Sequence, residues 1–168
     1  MILIREGTEK DAEGLARVHV ESWKSTYRGL VPDDYLGSLD PEARARDFRA
    51  WFQDPADRFL LAAANLGEQL VGFASGGKER GDHEPGTGEL YAIYLLQEYQ
   101  RQGIGQKLFS ACADRLGRMG YKRLVLYCLA ENLHQRFYSA LGGTQETCVK
   151  QVQIGGRDFN QAKFFWTL

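Results

Sequence analysis

A glycine-containing turn, Gln100-Arg101-Gln102-Gly103-Ile104-Gly105, stands between a predicted strand and a long predicted helix. Free backbone N–H groups and the positive end of the helix dipole make such a helix start an anion-binding site. Gly103 and Gly105 lack side chains that would hold a diphosphate away from the backbone, and Arg101 could add charge at the rim. The turn is neither a Walker loop, which needs Gly-Lys-Ser/Thr, nor a Rossmann fingerprint, which needs more glycines. At this point the glycines could equally serve only tight packing.

Two segments together match the motifs of one known family. Gln100, Gly103 and Gly105 occupy the fixed positions of the pattern Gln/Arg-x-x-Gly-x-Gly/Ala. Downstream, the run from Asn132 through Phe-Tyr138 to Leu-Gly142 resembles the block Asn…Phe-Tyr-x-x-Leu-Gly-Phe, with a glycine in place of the final aromatic residue. Over residues 2–168 the chain therefore resembles the GNAT (general N-acetyltransferase) superfamily. The resemblance implies an acetyl-CoA-dependent enzyme that needs no metal.

The resemblance also implies where acetyl-CoA would lie. Two central strands would splay, and the pantetheine arm would pair with the backbone around Ile93, Tyr94 and Leu95 like an added strand. A backbone N–H there would polarise the thioester carbonyl and stabilise its developing oxyanion. Ile93 and Leu95 can be core residues at the same time, because side chain and backbone act separately. The implied cofactor-binding residues are Ile93, Tyr94, Leu95, Gln100, Arg101, Gln102, Gly103, Ile104, Gly105, Gln106, Asn132 and Tyr138.

Tyr138 matches the position of the family's general acid, which would protonate the leaving thiolate. Helical spacing predicts one apolar face made of Leu133, Phe137, Ala140 and Leu141. Tyr138 is predicted to lie well off that face, so that packing does not require its ring. The alternative is a half-buried aromatic residue that packs on the cofactor. Asn132 is predicted to be either a helix cap or a contact to the pantetheine arm.

Glu89 matches the position at which the family often places a catalytic glutamate. A carboxylate there could take a proton from the attacking ammonium, directly or through water. The alternative is a solvated glutamate at a strand end.

Trp23 and Tyr27 lie in the region that shapes the acceptor pocket in relatives, and we expect them to bind substrate. Their spacing of four residues also suits a helix face in the core, which is the stronger interpretation for at least one of them.

Periodicity and turn signals define the elements that position these residues. Strands are predicted over 2–5, 59–64, 69–75, 89–95, 124–129, 147–154 and 161–168, and helices over 12–27, 41–52, 103–119 and 132–141. Asp40 is predicted to cap the second helix. Residues 76–88 are predicted to be a mobile polar loop at a functional rim. The order predicts a single α/β domain, residues 1–168, with a mixed sheet of six to seven strands, helices on both faces and a splayed strand pair that holds acetyl-CoA.

Composition excludes several other classes. With 168 residues and a formal net charge of −1, the chain has no basic excess, so we expect no nucleic-acid binding. The three cysteines (Cys112, Cys128 and Cys148) form no CxxC pair, which argues against a disulfide scaffold or a zinc site. Cys112 is predicted to be a core residue, and His83 a solvated loop residue. No apolar run approaches the roughly 18 residues of a membrane helix, and we expect a cytoplasmic protein.

The sequence thus predicts an N-acetyltransferase that moves an acetyl group from acetyl-CoA to a primary amine by direct attack in a ternary complex. The acceptor would be a small molecule or a peptide, and a homodimer is compatible with the resemblance. One alternative is a non-catalytic acyl-CoA-binding regulatory module, against which the joint presence of Tyr138 and Glu89 argues. The other is a partner-binding scaffold of the same fold, against which the intact Gly103/Gly105 turn argues.

Overall fold

The computed structural model describes residues 1–54, 56–65, 67–81 and 84–168, with the backbone alone for 147–149. Its strands are β1 (Ile2–Glu6), β2 (Arg58–Asn65), β3 (Leu70–Lys78), β4 (Thr87–Leu95), β5 (Arg123–Leu129), β6 (Thr144–Ile154) and β7 (Arg157–Thr167). Its α-helices are α1 (Ala12–Thr26), α2 (Asp33–Ser38), α3 (Pro41–Gln53), α4 (Ile104–Arg118) and α5 (Gln135–Ala140). Short 3₁₀ turns precede α1 and α4.

All these strands form one sheet of seven strands in the order β1-β2-β3-β4-β5-β7-β6. Within it β4 and β5 are parallel, and the other neighbouring strands are antiparallel. The parallel pairing runs only from Thr87↔Arg123 to Glu89↔Val125, and beyond it the two strands diverge. This arrangement confirms the predicted mixed sheet with a splayed strand pair.

A bulge lies on β4 next to this split. Ser75 and Gly76 are consecutive on β3, but they pair with Ala92 and Leu90 of β4. Tyr91 is therefore the extra residue, and a bulge of this kind bends its strand and increases the local twist. The bend falls where β4 leaves β5.

Helices cover both faces of the sheet, as predicted. Along β2, Leu61 and Ala63 join the core under α4, whose Leu108 is fully buried. The alternate residue Leu60 packs on the other face with Leu15 of α1. This alternation is the period-two pattern of a strand buried on both faces.

The predicted loop over 76–88 is wrong at both ends, because β3 continues to Lys78 and β4 begins at Thr87. Three of the glycines in this segment, Gly76, Gly77 and Gly88, lie in strands and allow close packing instead. A Cβ at Gly76 would lie 2.8 Å from the carbonyl oxygen of Glu89 on the neighbouring strand. Of the predicted loop residues, His83 lies outside the described part of the chain.

The structure confirms the predicted cap of α3 and differs from the predictions at α2 and α5. Asp40 caps α3, since its carboxylate accepts the backbone N–H groups of Glu42 at 3.0 Å and Ala43 at 3.2 Å. The prediction missed α2, a helix of six residues. The last helix is shorter than predicted, running from Gln135 to Ala140 with His134 as its N-cap.

Candidate functional site

An open cavity of about 430 Å³ lies where β4 and β5 diverge, next to the start of α4. Five elements and their loops line it, namely α1, β4, β5, α4 and α5. Among the predicted site residues, its walls include Tyr27, Ile93, Tyr94, Leu95, Gln100, Arg101, Gly103, Gly105, Gln106, Asn132 and Tyr138. Residues remote in sequence thus meet around one space.

The turn before α4 has the geometry of an anion site. Arg101 and Gly103 adopt left-handed backbone conformations, with φ of 58° and 77°. The backbone N–H groups from Gly103 to Gln106 have no acceptor among the described residues, and the first helical bond of this turn is donated by Lys107 to the Gly103 carbonyl. Unpaired N–H groups at a helix start are the donors that a diphosphate needs. The chain therefore fits the diphosphate of a coenzyme A molecule here.

Glycine is required at positions 103 and 105 of this turn for different physical reasons. A Cβ at Gly103 would meet no atom within 4 Å, so its requirement is the left-handed backbone and not packing. A Cβ at Gly105 would lie 3.3 Å from Cζ of Phe137, so this glycine lets α5 approach α4. Gly105 therefore has a packing role, which leaves its backbone N–H free, and Gly103 has none.

The other side chains of the turn either bond to the preceding backbone or pack in the core. The Gln100 side-chain amide donates to the Leu95 carbonyl oxygen at 3.1 Å and ties the turn to the end of β4. Gln102 is exposed and donates in the same way to the Glu98 carbonyl oxygen at 2.9 Å. Ile104 is buried in the core. Neither Gln102 nor Ile104 contributes its side chain to the cavity wall.

The strand edge predicted to pair with the pantetheine arm is open. Because β5 pairs with β4 only as far as Glu89, one backbone edge of Ile93 and Leu95 faces the split. Tyr94 points its hydroxyl towards α1, where it accepts the indole N–H of Trp23 at 2.9 Å. This bond fixes β4 against α1 beside the cavity.

Tyr138 lies in the wall of the cavity but not for the reason the helical spacing suggested. The side chain is 7% exposed and packs on Phe164, with ring centroids 5.7 Å apart. Leu133, placed on the predicted apolar face, is 90% exposed, so that face is wrong. A helix of under two turns is oriented by its anchors and not by its own periodicity. The Tyr138 ring is buried in the core and not half-buried, and its packing on the cofactor stays a prediction.

The hydroxyl of Tyr138 remains available for chemistry. Among the described residues it has no hydrogen-bond partner, and it is absent from the polar atoms sealed in the core. Burial raises the pKa of Tyr138 above its ordinary value, and Cys128 and Tyr94 add to the shift. The phenol therefore stays protonated at neutral pH.

Asn132 is buried and lines the cavity without capping α5 directly. Its side-chain oxygen accepts the backbone N–H of His134 at 2.9 Å, two residues ahead, in an Asx turn. The N-cap prediction is wrong by two residues, although the side chain does order the turn that leads into α5.

Tyr27 and Trp23 pack together on α1, with ring centroids 4.6 Å apart. Tyr27 is buried and lines the cavity, whereas Trp23 forms the layer behind it and stacks on His19. His19 is half-buried, and desolvation lowers its pKa to about 3, so that its ring is neutral.

Glu89 is buried at 3% exposure and does not line the cavity, although the next residue along β4, Leu90, does. Both of its carboxylate oxygens bind Arg80. The Arg80 backbone N–H donates to one at 2.8 Å, and its guanidinium donates to the other at 2.7 Å. The interpretation of Glu89 as a solvated strand-end residue is therefore wrong.

The sequence did not indicate a second polar pair at the cavity. Tyr127 of β5 lines the wall, and its hydroxyl donates to a carboxylate oxygen of Glu79 at 3.3 Å. Glu79 is 2% exposed and also accepts the backbone N–H of Glu84 at 3.1 Å. The two residues of the pair are 48 positions apart in sequence, so no local pattern connects them.

The cysteines of known position are buried and unpaired. Burial raises the pKa of Cys112 to about 12 and that of Cys128 to about 11. Cys112 is a core residue of α4, as predicted, and Cys128 lines the cavity. The Cys148 side chain lies outside the described part of the chain.

The described residues contain neither a metal-binding cluster nor a membrane-spanning helix. No three or more His, Cys, Asp or Glu side chains there are grouped so that they could hold a metal ion. In the same ranges, no helix combines the length and apolar character of a membrane span.

Comparison with known proteins agrees with this geometry. The sequence profile of the family described as "Acetyltransferase (GNAT) family" matches residues 21–142. An uncharacterized N-acetyltransferase of Bacillus subtilis (strain 168), YuaI, is 36% identical over 166 residues, covering 99% of this chain and 93% of that protein. The mycothiol acetyltransferase of Corynebacterium aurimucosum is 28% identical over 73% of this chain, which spans 42% of that protein.

A solved structure shares the architecture. The PaiA N-acetyltransferase of Thermoplasma acidophilum, crystallised in complex with coenzyme A, superposes with a TM-score of 0.73 at 25% identity. The alignment covers 96% of this chain and 98% of that chain.

Proposed function

Because the chain belongs to the GNAT family of acetyltransferases, we propose that it transfers an acetyl group from acetyl-CoA to a primary amine by direct attack in a ternary complex. One observation carries the proposal: an unpaired helix start, an open strand edge and a free tyrosine hydroxyl meet at one cavity. Acetyltransferases of this family act on small-molecule or peptide amines, and we propose such an acceptor here.

The first task of the residues is to bind and orient. The N–H groups from Gly103 to Gln106 would hold the diphosphate, with Arg101 at the rim. The backbone edge of Ile93 and Leu95 would pair with the pantetheine arm, and an N–H there would stabilise the developing oxyanion. When bound, acetyl-CoA supplies an activated thioester. Holding both reactants in one cavity would provide most of the rate gain.

The second task is to move protons. Glu89 would take a proton from the acceptor ammonium, so that an N–H bond breaks, an O–H bond forms and the neutral amine can attack. As the C–N bond forms and the C–S bond breaks, Tyr138, which stays protonated because burial raises its pKa, would donate its O–H proton to the departing sulfur. The nitrogen would release its second proton to water. These assignments are supported by the placement of Glu89 beside the wall and of Tyr138 within it.

The proposal is tested by incubating the protein with acetyl-CoA and a panel of primary amines while free thiol is measured. We expect amine-dependent thiol release together with a product that is heavier by one acetyl group. If acetyl-CoA binds but no amine releases thiol, the chain is an acyl-CoA-binding module. If acetyl-CoA does not bind, the scaffold alternative is correct.

Further properties remain predictions. We propose a cytoplasmic location and a single domain over residues 1–168 from the sequence, and a homodimer is compatible with the resemblance.

A further inference from the structure

The ion pair between Arg80 and Glu89 has very unequal partners. The Glu89 side chain is 4% exposed, whereas the Arg80 side chain is 61% exposed. A guanidinium so open to water can leave at small cost. A buried carboxylate left without a cation is strongly unfavourable. Arg80 can therefore move away readily only if another cation takes its place at Glu89.

The guanidinium also lies on an aromatic surface that belongs to the cavity. Its central carbon is 4.1 Å from the ring centroid of Tyr91, which is the bulged residue of β4 and part of the cavity wall. The Tyr91 hydroxyl donates to the Lys78 carbonyl oxygen at 2.5 Å, and this bond fixes the ring. A carboxylate and a ring face together form a binding site for an organic cation.

We infer that Glu89 and the Tyr91 ring form the ammonium subsite of the acceptor, and that Arg80 fills this subsite until a cationic amine displaces it. The inference rests on the proposed amine transfer and specifies the place of the acceptor within it. Arg80 is a positioning residue, since its backbone N–H and its guanidinium hold the Glu89 carboxylate in place. The subsite selects acceptors that carry a positive charge, because a neutral molecule cannot replace the guanidinium at Glu89.

A substitution that removes only the competing charge tests the inference by kinetics. Arg80→Gln keeps the backbone N–H donor and a side-chain amide for Glu89 but removes the cation. We expect the KM for the acceptor to fall about two- to fivefold, because the arginine of this ion pair is exposed and water screens its charge, with the KM for acetyl-CoA unchanged. Arg157→Gln is the matched control, because Arg157 also stacks on an aromatic ring, Phe159, at 5.5 Å, whereas Glu89 pairs with Arg80. An acceptor KM that is unchanged or raised in Arg80→Gln would overturn the inference.

A second measurement needs no enzymatic activity. Methylguanidinium is titrated calorimetrically into Arg80→Ala, into the unsubstituted protein and into Arg157→Ala. We expect saturable binding to Arg80→Ala alone, because only this variant has an emptied subsite. Equal heats in all three proteins would exclude the subsite. If methylguanidinium binds Arg80→Ala while no amine releases thiol, the subsite stands and the transferase proposal fails. The remaining outcome is normal thiol release with no change of the acceptor KM in Arg80→Gln and no methylguanidinium binding to Arg80→Ala. In that case the transferase proposal stands and the subsite fails.

Discussion

At the residue scale, Tyr138 lies in the cavity wall, although the helical-face argument that accompanied its selection is wrong. The motif identified it, and the structure places it in the cavity wall with a free hydroxyl. The helical-face argument failed, because Leu133 is exposed and Tyr138 is buried. A short helix takes its orientation from packing with β7 and α4, which the local sequence does not encode.

Replacing Tyr138 by Phe removes the hydroxyl and keeps the buried ring. We expect kcat to fall by about 100-fold or more, the usual contribution of a general acid. Stability should change little, since the hydroxyl has no partner among the described residues. Tyr121→Phe is the control, because its hydroxyl bonds Asp57 at 3.1 Å outside the cavity. A Tyr138→Phe enzyme with normal kcat would exclude the acid role.

Glu89→Gln removes the proposed base while it keeps the shape of the side chain. We expect kcat/KM for the acceptor to fall by about 100-fold, with acetyl-CoA binding retained. Glu84→Gln serves as the comparison, because Glu84 also pairs with an arginine, Arg123, but does not line the cavity. Equal and small losses in the two variants would show that Glu89 is only structural.

At the element scale, local sequence signals indicate the start of α4. They do not indicate the polar pairs Arg80–Glu89 and Tyr127–Glu79. The turn from Gln100 to Gly105 was predictable because its residues are contiguous. Glu79 and Arg80 lie in the loop between β3 and β4, as predicted, but their ion-pair and hydrogen-bond partners are not evident from the sequence. Their contacts with Tyr127 and Glu89 depend on strand pairing across the sheet, and a single sequence does not reveal that pairing.

The packing of α1 on β4 makes a prediction about pH and stability. Burial lowers the pKa of His19 from 6.5 to about 3 in the folded chain. The unfolded state therefore binds the proton more readily, and the free energy of unfolding falls as the pH drops from about 6.5 towards 3. His19→Phe, which keeps an aromatic ring beside Trp23 and Tyr94, should have a shallower decline over this range.

Urea unfolding at several pH values measures this effect. Above pH 7.5 His19 no longer contributes to the change of the unfolding free energy with pH. Any remaining difference in unfolding free energy between the two proteins then reports packing alone. If the unfolding free energies of the two proteins changed equally with pH between 6.5 and 4, the pKa of His19 would be the same in the folded and unfolded chain.

At the scale of the whole molecule, the cavity is a consequence of sheet topology. The parallel pair β4–β5 needs a crossover, which α4 provides, and the short pairing leaves the two strands open at their carboxyl ends. The same crossover brings the start of α4 to the open end. Open α/β sheets commonly bind ligands at such a position. The element order predicted a mixed sheet, whereas the spatial order of the strands and the extent of their separation became evident only in the structure.

The most direct test of this account is calorimetric titration of acetyl-CoA into the protein and two glycine variants. Gly103→Val and Gly120→Val impose the same kind of strain, because both residues have positive φ, 77° and 95°, with open space around the added Cβ. They lie at opposite ends of α4, so only Gly103 is at the proposed diphosphate site. We predict that Gly103→Val binds acetyl-CoA at least about tenfold more weakly, a loss of about 1.4 kcal/mol, while Gly120→Val binds like the unsubstituted protein. Equal binding by all three proteins would contradict the placement of the coenzyme at this turn.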